Sequence, residues 1–396
     1  MPGQGRRVRA KGLGMTLTRR VRCALFAVPL AAALMSAAPA ALAAGGGYHP
    51  QQHPGPAVQV RPAIAPSALA GYLWSDSTSG GYYGYDSTGG AISESVPVTG
   101  ITQVSFAGLQ GIGDTAGDVQ VTPYGTADTC AVSGWGPLGS AELIDVACYA
   151  PNGALATTPP EFDVTITKPT GKPSGVYDYA WISTDNKSVS LKNAFGEYNS
   201  SHKANSVVHL GTGRYEVIFP GPKSKGEHGT VEVTPFLRQS ATGANCVTAS
   251  WKGTRTGEDV YVDCYAPSGV RQNDAFDVVY ASASNVLGLN KAADANTLFS
   301  GKGPIGLPVT AYFSNSHAKA DDAEGPLGFY IVLLPGSGGN FADFGGDVQA
   351  EAVSSKDVHC TSGGWDQGAL PTLDVACYGR TGHQVSTPFE LQWIVP

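Results

Sequence analysis

The sequence predicts an all-β chain of three tandem repeats, each of about eight strands arranged as a β-sandwich module, with a six-bladed β-propeller of two blades per repeat as the alternative. Three observations lead there. A unit of cysteine, tryptophan and second cysteine recurs as Cys130, Trp135, Cys148-Tyr149-Ala150-Pro151, as Cys246, Trp251, Cys264-Tyr265-Ala266-Pro267, and as Cys360, Trp365, Cys377-Tyr378-Gly379-Arg380. The first cysteines lie 116 and 114 residues apart and the pairs span 18, 18 and 17, which is duplication of a supersecondary unit. From Tyr72 onward, short alternating stretches are broken by Gly, Pro, Asn and Asp, and none holds a helical period for three turns.

Taken in order, residues 1–43 carry seven Lys or Arg and no Asp or Glu, then an apolar run from Ala24 to Leu34 and Ala41-Leu42-Ala43. This is the pattern of a signal peptide cleaved before Ala44, and Met15 is an alternative start. Cys23 would leave with it. Residues 44–69 hold five prolines and four glycines without apolar periodicity, the composition of an extended spacer. Repeat one then covers 70–167, repeat two 177–281 and repeat three 293–396, with connectors at 168–176 and 282–292.

Within the repeats, Tyr215-Glu216-Val217-Ile218-Phe219, Val231-Glu232-Val233 and Val260-Tyr261-Val262-Asp263-Cys264 alternate cleanly, so each strand should turn one apolar side inward and one side to water. The distances Tyr85 to Phe106, Tyr198 to Phe219 and Phe313 to Leu334 are all 21 residues, which aligns the second strands. First strands then fall at Tyr72 to Trp74, Trp181 to Ser183 and Thr297 to Phe299. A first set of four strands ends at Phe106, Phe219 or Leu334; after a glycine-rich turn, a second set runs from Val119, Val231 or Val348 to Phe162, Phe276 or Phe389. Lys168 to Gly175 reads as an interdomain linker.

Six cysteines in an exported chain, one pair per repeat, read as disulfides Cys130–Cys148, Cys246–Cys264 and Cys360–Cys377. Cysteine zinc sites use pairs two to four residues apart, so no metal is expected there. Without the seven N-terminal cations, 18 Lys and Arg face 32 Asp and Glu, a net charge of −14 that excludes nucleic acid as a partner. No later apolar run is long enough to span a bilayer, so a secreted or extracellular location is expected.

Gly213-Arg214-Tyr215-Glu216-Val217-Ile218-Phe219-Pro220-Gly221, Gly229-Thr230-Val231-Glu232-Val233-Thr234 and Val262-Asp263-Cys264-Tyr265 resemble a tandem disulfide-containing β repeat of uncharacterised exported proteins from actinobacteria and other high-GC bacteria. The resemblance covers nearly everything after residue 70 and implies an extracellular life. It carries no activity or site residue. Repeat three departs from it at Gly379-Arg380-Thr381, where the Ala-Pro turn is lost.

Chemistry-bearing candidates are sparse. Repeat one lacks histidine, His202 and His317 follow strands in the other two, and His49 and His53 sit in the spacer. Asp321-Asp322-x-Glu324 and Asp343-x-x-x-Asp347 read as solvated acidic loops in preference to calcium ligands. No nucleophile elbow, zinc helix or phosphate loop occurs, so neither catalysis nor a cofactor is expected. Trp135, Trp251 and Trp365 lie five residues from their cysteines, an odd offset that places them opposite the cysteine on a regular strand. Exposed, they would form a binding platform for a surface glycan or protein; a bulge would return them to the core. The functional expectation is a non-catalytic, multivalent binding or adhesive protein. A secreted hydrolase with one site at the centre of a propeller and a structural coat component are the alternatives.

Overall fold

The computed structural model describes residues 58–60, 67–76, 81–113, 116–157, 160–173, 175–183, 189–191, 196–221, 229–237, 243–288, 293–299, 311–314, 321–324, 327–333, 346–366 and 372–395. The signal-peptide region, His49, His53, His317 and Asp343 lie outside them. A short strand β1 (Val58–Val60) lies in the stretch expected to be a spacer; repeat one holds β2 (Ala68–Asp76), β3 (Gly81–Asp86), with which β1 pairs in parallel, β4 (Ile92–Val98), β5 (Ile101–Ala107), β6 (Asp118–Pro123), β7 (Thr129–Leu138), β8 (Ala141–Tyr149) and β9 (Phe162–Pro169). Repeat two holds β10 (Val176–Ile182), β11 (Val189–Ser190), β12 (Glu197–Asn199), β13 (Ser206–Gly211), β14 (Arg214–Pro220), β15 (Thr230–Phe236), β16 (Asn245–Gly253), β17 (Gly257–Tyr265) and β18 (Ala275–Ser282). Repeat three holds β19 (Ala293–Phe299), β20 (Ala311–Ser314), β21 (Asp321–Glu324), β22 (Phe329–Leu333), β23 (Asp347–Ala352), β24 (Val358–Asp366), β25 (Thr372–Gly379) and β26 (Phe389–Val395).

The chain is all-β, and each repeat packs two open sheets face to face; the closed propeller of the alternative expectation is not formed. One sheet has the order β3-β2-β9-β6, β12-β10-β18-β15 or β20-β19-β26-β23, and the other β4-β5-β8-β7, β13-β14-β17-β16 or β21-β22-β25-β24. The two sheets are therefore not the two consecutive sets of four that the sequence suggests. Each sheet draws two strands from each half, because the short hairpins stay within a sheet while the glycine-rich turn crosses between sheets and the last strand returns between the first and the fifth. The first strand of repeat two also begins earlier than expected, with Tyr179 opposite Tyr198 as Tyr72 is opposite Tyr85.

The cysteines of each pair sit directly opposite one another on neighbouring strands, and their Cα atoms are 4.0 Å apart in all three disulfides. The cross-links thus pin hairpins β7-β8, β16-β17 and β24-β25. Between cysteine and tryptophan each first strand of these hairpins has a bulge, at Val132/Gly134, Thr248/Ser250 and Ser362/Gly364. The extra residue converts the odd offset of five into an even one. Trp135, Trp251 and Trp365 consequently turn to the cysteine's side and are only 6, 8 and 6% exposed. The platform reading of these tryptophans is corrected to burial, and the bulge is the physical reason.

What they pack against is the neighbouring repeat. Trp365 of repeat three meets the rings of Trp74 and Tyr124 of repeat one, at 5.1 and 5.9 Å between centroids. Trp135 of repeat one meets Phe236 of repeat two at 5.3 Å, and Trp181 stacks edge-on to the same phenyl ring at 5.7 Å. Leu298 and Val353 of repeat three join the core that contains Trp251 of repeat two. The three seams use equivalent positions, so the repeats close on one another cyclically, and residues 45–396 form one compact unit.

Replacing Trp365 with Ala removes an indole that joins two cores, and is expected to lower stability by about 3 to 5 kcal/mol in chemical denaturation, with Trp365→Phe costing markedly less.

Candidate functional site

The centre of the molecule is built from β6, β15 and β23, the fifth strand of each repeat when the short extra edge strands β1 and β11 are not counted. A sheet-edge strand normally shows water one side, yet every residue of these three is buried. Their apolar side, Val119 and Val121, Val231 and Val233, Val348 and Ala350, enters its own sandwich. Their polar side, Asp118, Gln120 and Thr122, Thr230, Glu232 and Thr234, Asp347, Gln349 and Glu351, meets the other two repeats. The side expected to be wet is therefore dry, and Asp347 lies in the core and not in a solvated loop. Asp321 to Glu324, the other acidic loop expected, forms strand β21 paired with β22.

Beyond its own sheet, each fifth strand reaches the adjacent repeat in parallel. Tyr124 bridges Ser362, Phe236 bridges Val132 and Val353 bridges Thr248. The amides that follow, Gly125, Leu237 and Ser354, donate to the carbonyl oxygens of those partners at 2.7, 2.9 and 2.8 Å. All three bridges occupy one equivalent position two residues past the first cysteine.

Side chains complete the junction. The Val121 and Ala350 amides donate to the hydroxyls of Thr234 and Thr122 at 2.9 and 3.1 Å, and the Val233 amide occupies the same place toward the Glu351 carboxylate. Thr122 donates on to Gln349 and Thr234 to Gln120, both at 2.9 Å, whereas the equivalent third pair is Glu351 with Glu232. The Val119 amide donates to Asp277 at 2.9 Å, and the Val231 amide donates to Glu390. Asp163 accepts from Ser362 at 2.7 Å.

Burial dominates the acidity of this cluster. Loss of hydration pushes Asp118 and Asp347 up to about 7 and Glu351 up to about 8, against hydrogen bonds that pull the other way. Asp163, Asp277, Glu232 and Glu390 are raised well above the ordinary carboxylate range by burial first and by neighbouring carboxylates second.

One end of this junction is plugged by the second connector. Val286 and Leu287 are wholly buried among residues of all three repeats: the Val286 amide donates to Gln392 at 3.0 Å, Tyr177 donates to the Val286 carbonyl at 3.0 Å, and Thr167 donates to the Leu287 carbonyl at 2.8 Å. The first connector is fastened too, since the Thr170 and Gly171 amides both donate to the Ser67 carbonyl. At the other end lies a cavity of about 30 Å³ bounded by equivalent residues of the three repeats, among them Cys130, Cys246, Cys360 and the polar trio Thr129, Asn245 and His359. His359 Nε2 donates to the Ala127 carbonyl at 3.0 Å; desolvation lowers its pKa to about 4, so the ring is neutral.

Over this mouth the three turns that follow the second cysteines converge. A Cβ on Gly153 would fall 2.6 Å from Pro267 Cβ, one on Gly269 2.6 Å from Arg380 Cδ, and one on Gly382 2.9 Å from Pro151 Cγ. Repeat one touches two, two touches three and three touches one. Each glycine also has positive φ, at 80°, 77° and 75°, so two independent demands select it. Arg380 stands where the other repeats place proline, beside Asp357, whose carboxylate accepts from Asn245 at 3.0 Å.

Of the histidines picked out by sequence, His202 lies in the left-handed region with φ of 56° and joins no such cluster. No group of three or more His, Cys, Asp or Glu side chains able to hold a metal is present among the described residues. Comparison with protein-family models, curated proteins and solved structures finds no match to the chain.

Gly153→Ala adds both a strained φ and a clash with Pro267, whereas Gly139→Ala, at φ of 64° with nothing within 4 Å, adds strain alone. The first substitution is expected to cost about 2 to 3 kcal/mol and the second about 1 kcal/mol in denaturant titrations.

Proposed function

We propose that the chain is an exported, non-catalytic protein that binds a surface glycan or protein through the single composite face formed where the three turns meet. The observation that carries this reading is the convergence of Pro151, Pro267 and Arg380 over Thr129, Asn245 and His359. Equivalent backbone from three repeats brings non-equivalent side chains together there, which gives recognition the asymmetry that a triplicated scaffold otherwise lacks. The tryptophans are consumed in the seams, so multivalency of three separate platforms gives way to one face per ring. An extracellular location is supported by the N-terminal sequence and by three disulfides.

The face is open and mixes apolar with charged groups; its second small cavity is lined by Pro151, Pro267, Asp357, His359 and Arg380 among others. Such a surface suits a polymer or a protein better than a small substrate that must be enclosed. Co-sedimentation of the disulfide-intact chain with insoluble glycans and bacterial cell walls tests the reading. Binding is expected, with a loss of about tenfold or more in Arg380→Ala and Asp357→Ala variants that keep the parent's stability. Absence of binding by the parent, together with concentration-dependent self-association, would favour the coat-component reading instead.

A further inference from the structure

Each of the three seams carries one buried carboxyl pair contributed by two different repeats. Between repeats one and two, Asp277 accepts from the amide that follows Asp118. Between repeats two and three, Glu351 accepts from the amide that follows Glu232. Between repeats three and one, Asp163 stands toward Asp347 in the position equivalent to that of Asp277 toward Asp118, and each of the three pairs repels electrostatically. Where one seam places two acids, the matching positions elsewhere hold at least one neutral residue: Gln349 with Thr122, Gln120 with Thr234, and Thr230 opposite the acid Glu390. No seam lacks such a pair, and Glu232 of repeat two is repelled by Glu390 and Asp347 of repeat three as well.

Among the described residues, no cation is found beside them. Asp118 is faced by Gln120, Tyr177 and Asp277; Asp163 by Ser362, Tyr72 and Asp347; Asp347 also by Gln349. Glu232 is faced by Glu351, Glu390, Asp347 and Asp118; Glu351 stands opposite Glu390 in the β23-β26 register and shares its small cavity with the neutral His359. The ion pairs found among the described residues, Arg214–Asp263, Arg271–Asp263 and Lys252–Asp259, all belong to the outer sheet of repeat two. Two carboxyl groups in one dry site oppose each other's ionisation, so the neutral form of at least one is favoured.

We propose that closure of the three-repeat ring is a pH-sensitive device: each seam is locked by a carboxyl pair that retains a proton, and alkalinisation loosens all three seams together. The sign follows from linkage. In the folded chain these acids bind protons that the unfolded chain releases near its ordinary carboxylate pKa of about 4 to 4.5. Their contribution is therefore fully present below that range and is lost as pH rises through about 7 to 8, the range to which Asp118, Asp347 and Glu351 are pushed.

Thermal melting of the disulfide-intact chain at constant ionic strength from pH 5 to 9, beside an Asp118→Asn, Asp163→Asn, Glu232→Gln variant, tests this. The parent's midpoint is expected to fall by more than about 5 °C across the range, and the variant's by less than half as much. A parent midpoint that does not fall, or a variant that falls equally, overturns the proposal. Should the variant fail to fold, infrared spectroscopy of the parent decides: a protonated-carboxyl band present at neutral pH and gone at pH 9 supports the proposal, and its absence at neutral pH refutes it.

Discussion

The structure depends on the fifth strand of each repeat having no free side. A two-sheet sandwich of this size ordinarily leaves its edge strands in water, where unpaired amides invite pairing with another chain. Here the chain supplies its own partners. Each fifth strand ends in a short parallel bridge to the preceding repeat of the cycle, sets its polar side chains against the other two fifth strands, and leads into a seam that holds a tryptophan. Three edges that would each be an aggregation hazard become one closed junction.

That arrangement assigns separate physical jobs to the two halves of the recurring unit. The disulfide pins a hairpin that is already hydrogen-bonded, so its loop is short and local. The tryptophan, returned to the same side by a one-residue bulge, reaches out of its own sandwich into the seam. Duplication of the unit therefore duplicated an interface as well as a module, and the connector at Val286 and Leu287 closes one end of the junction. The opposite end carries the turns that follow the second cysteines, with arginine replacing proline in the third.

Much of this was legible from the residues. The recurrent spacing gave the three repeats and the cysteine pairing, and alternation gave the all-β class and the strands that form the sandwiches. The acidic junction was not recognised, although its signal was present. Asp118, Gln120 and Thr122 alternate with valines just as Glu232 does between Val231 and Val233, and alternation cannot tell a polar side that faces water from one that faces another repeat. For the tryptophans, alternation leaves two outcomes, a platform or a core position restored by a bulge, and the structure takes the second. Period-two counting places Trp251 opposite Cys246, and a single extra residue reverses the result without leaving a fixed signature, since the residues inserted are Ser133, Ala249 and Gly363. The composite turn face could have been suspected only from the one place where repeat three departs from the others.

The central claim is that three repeats make one closed body and not three beads on a string. Differential scanning calorimetry of the disulfide-intact chain at pH 6 tests it most directly. Closure through shared seams predicts one transition whose calorimetric and van't Hoff enthalpies agree. Two or three resolved transitions, or a calorimetric enthalpy several times the van't Hoff value, would show repeats that melt independently and would contradict the account.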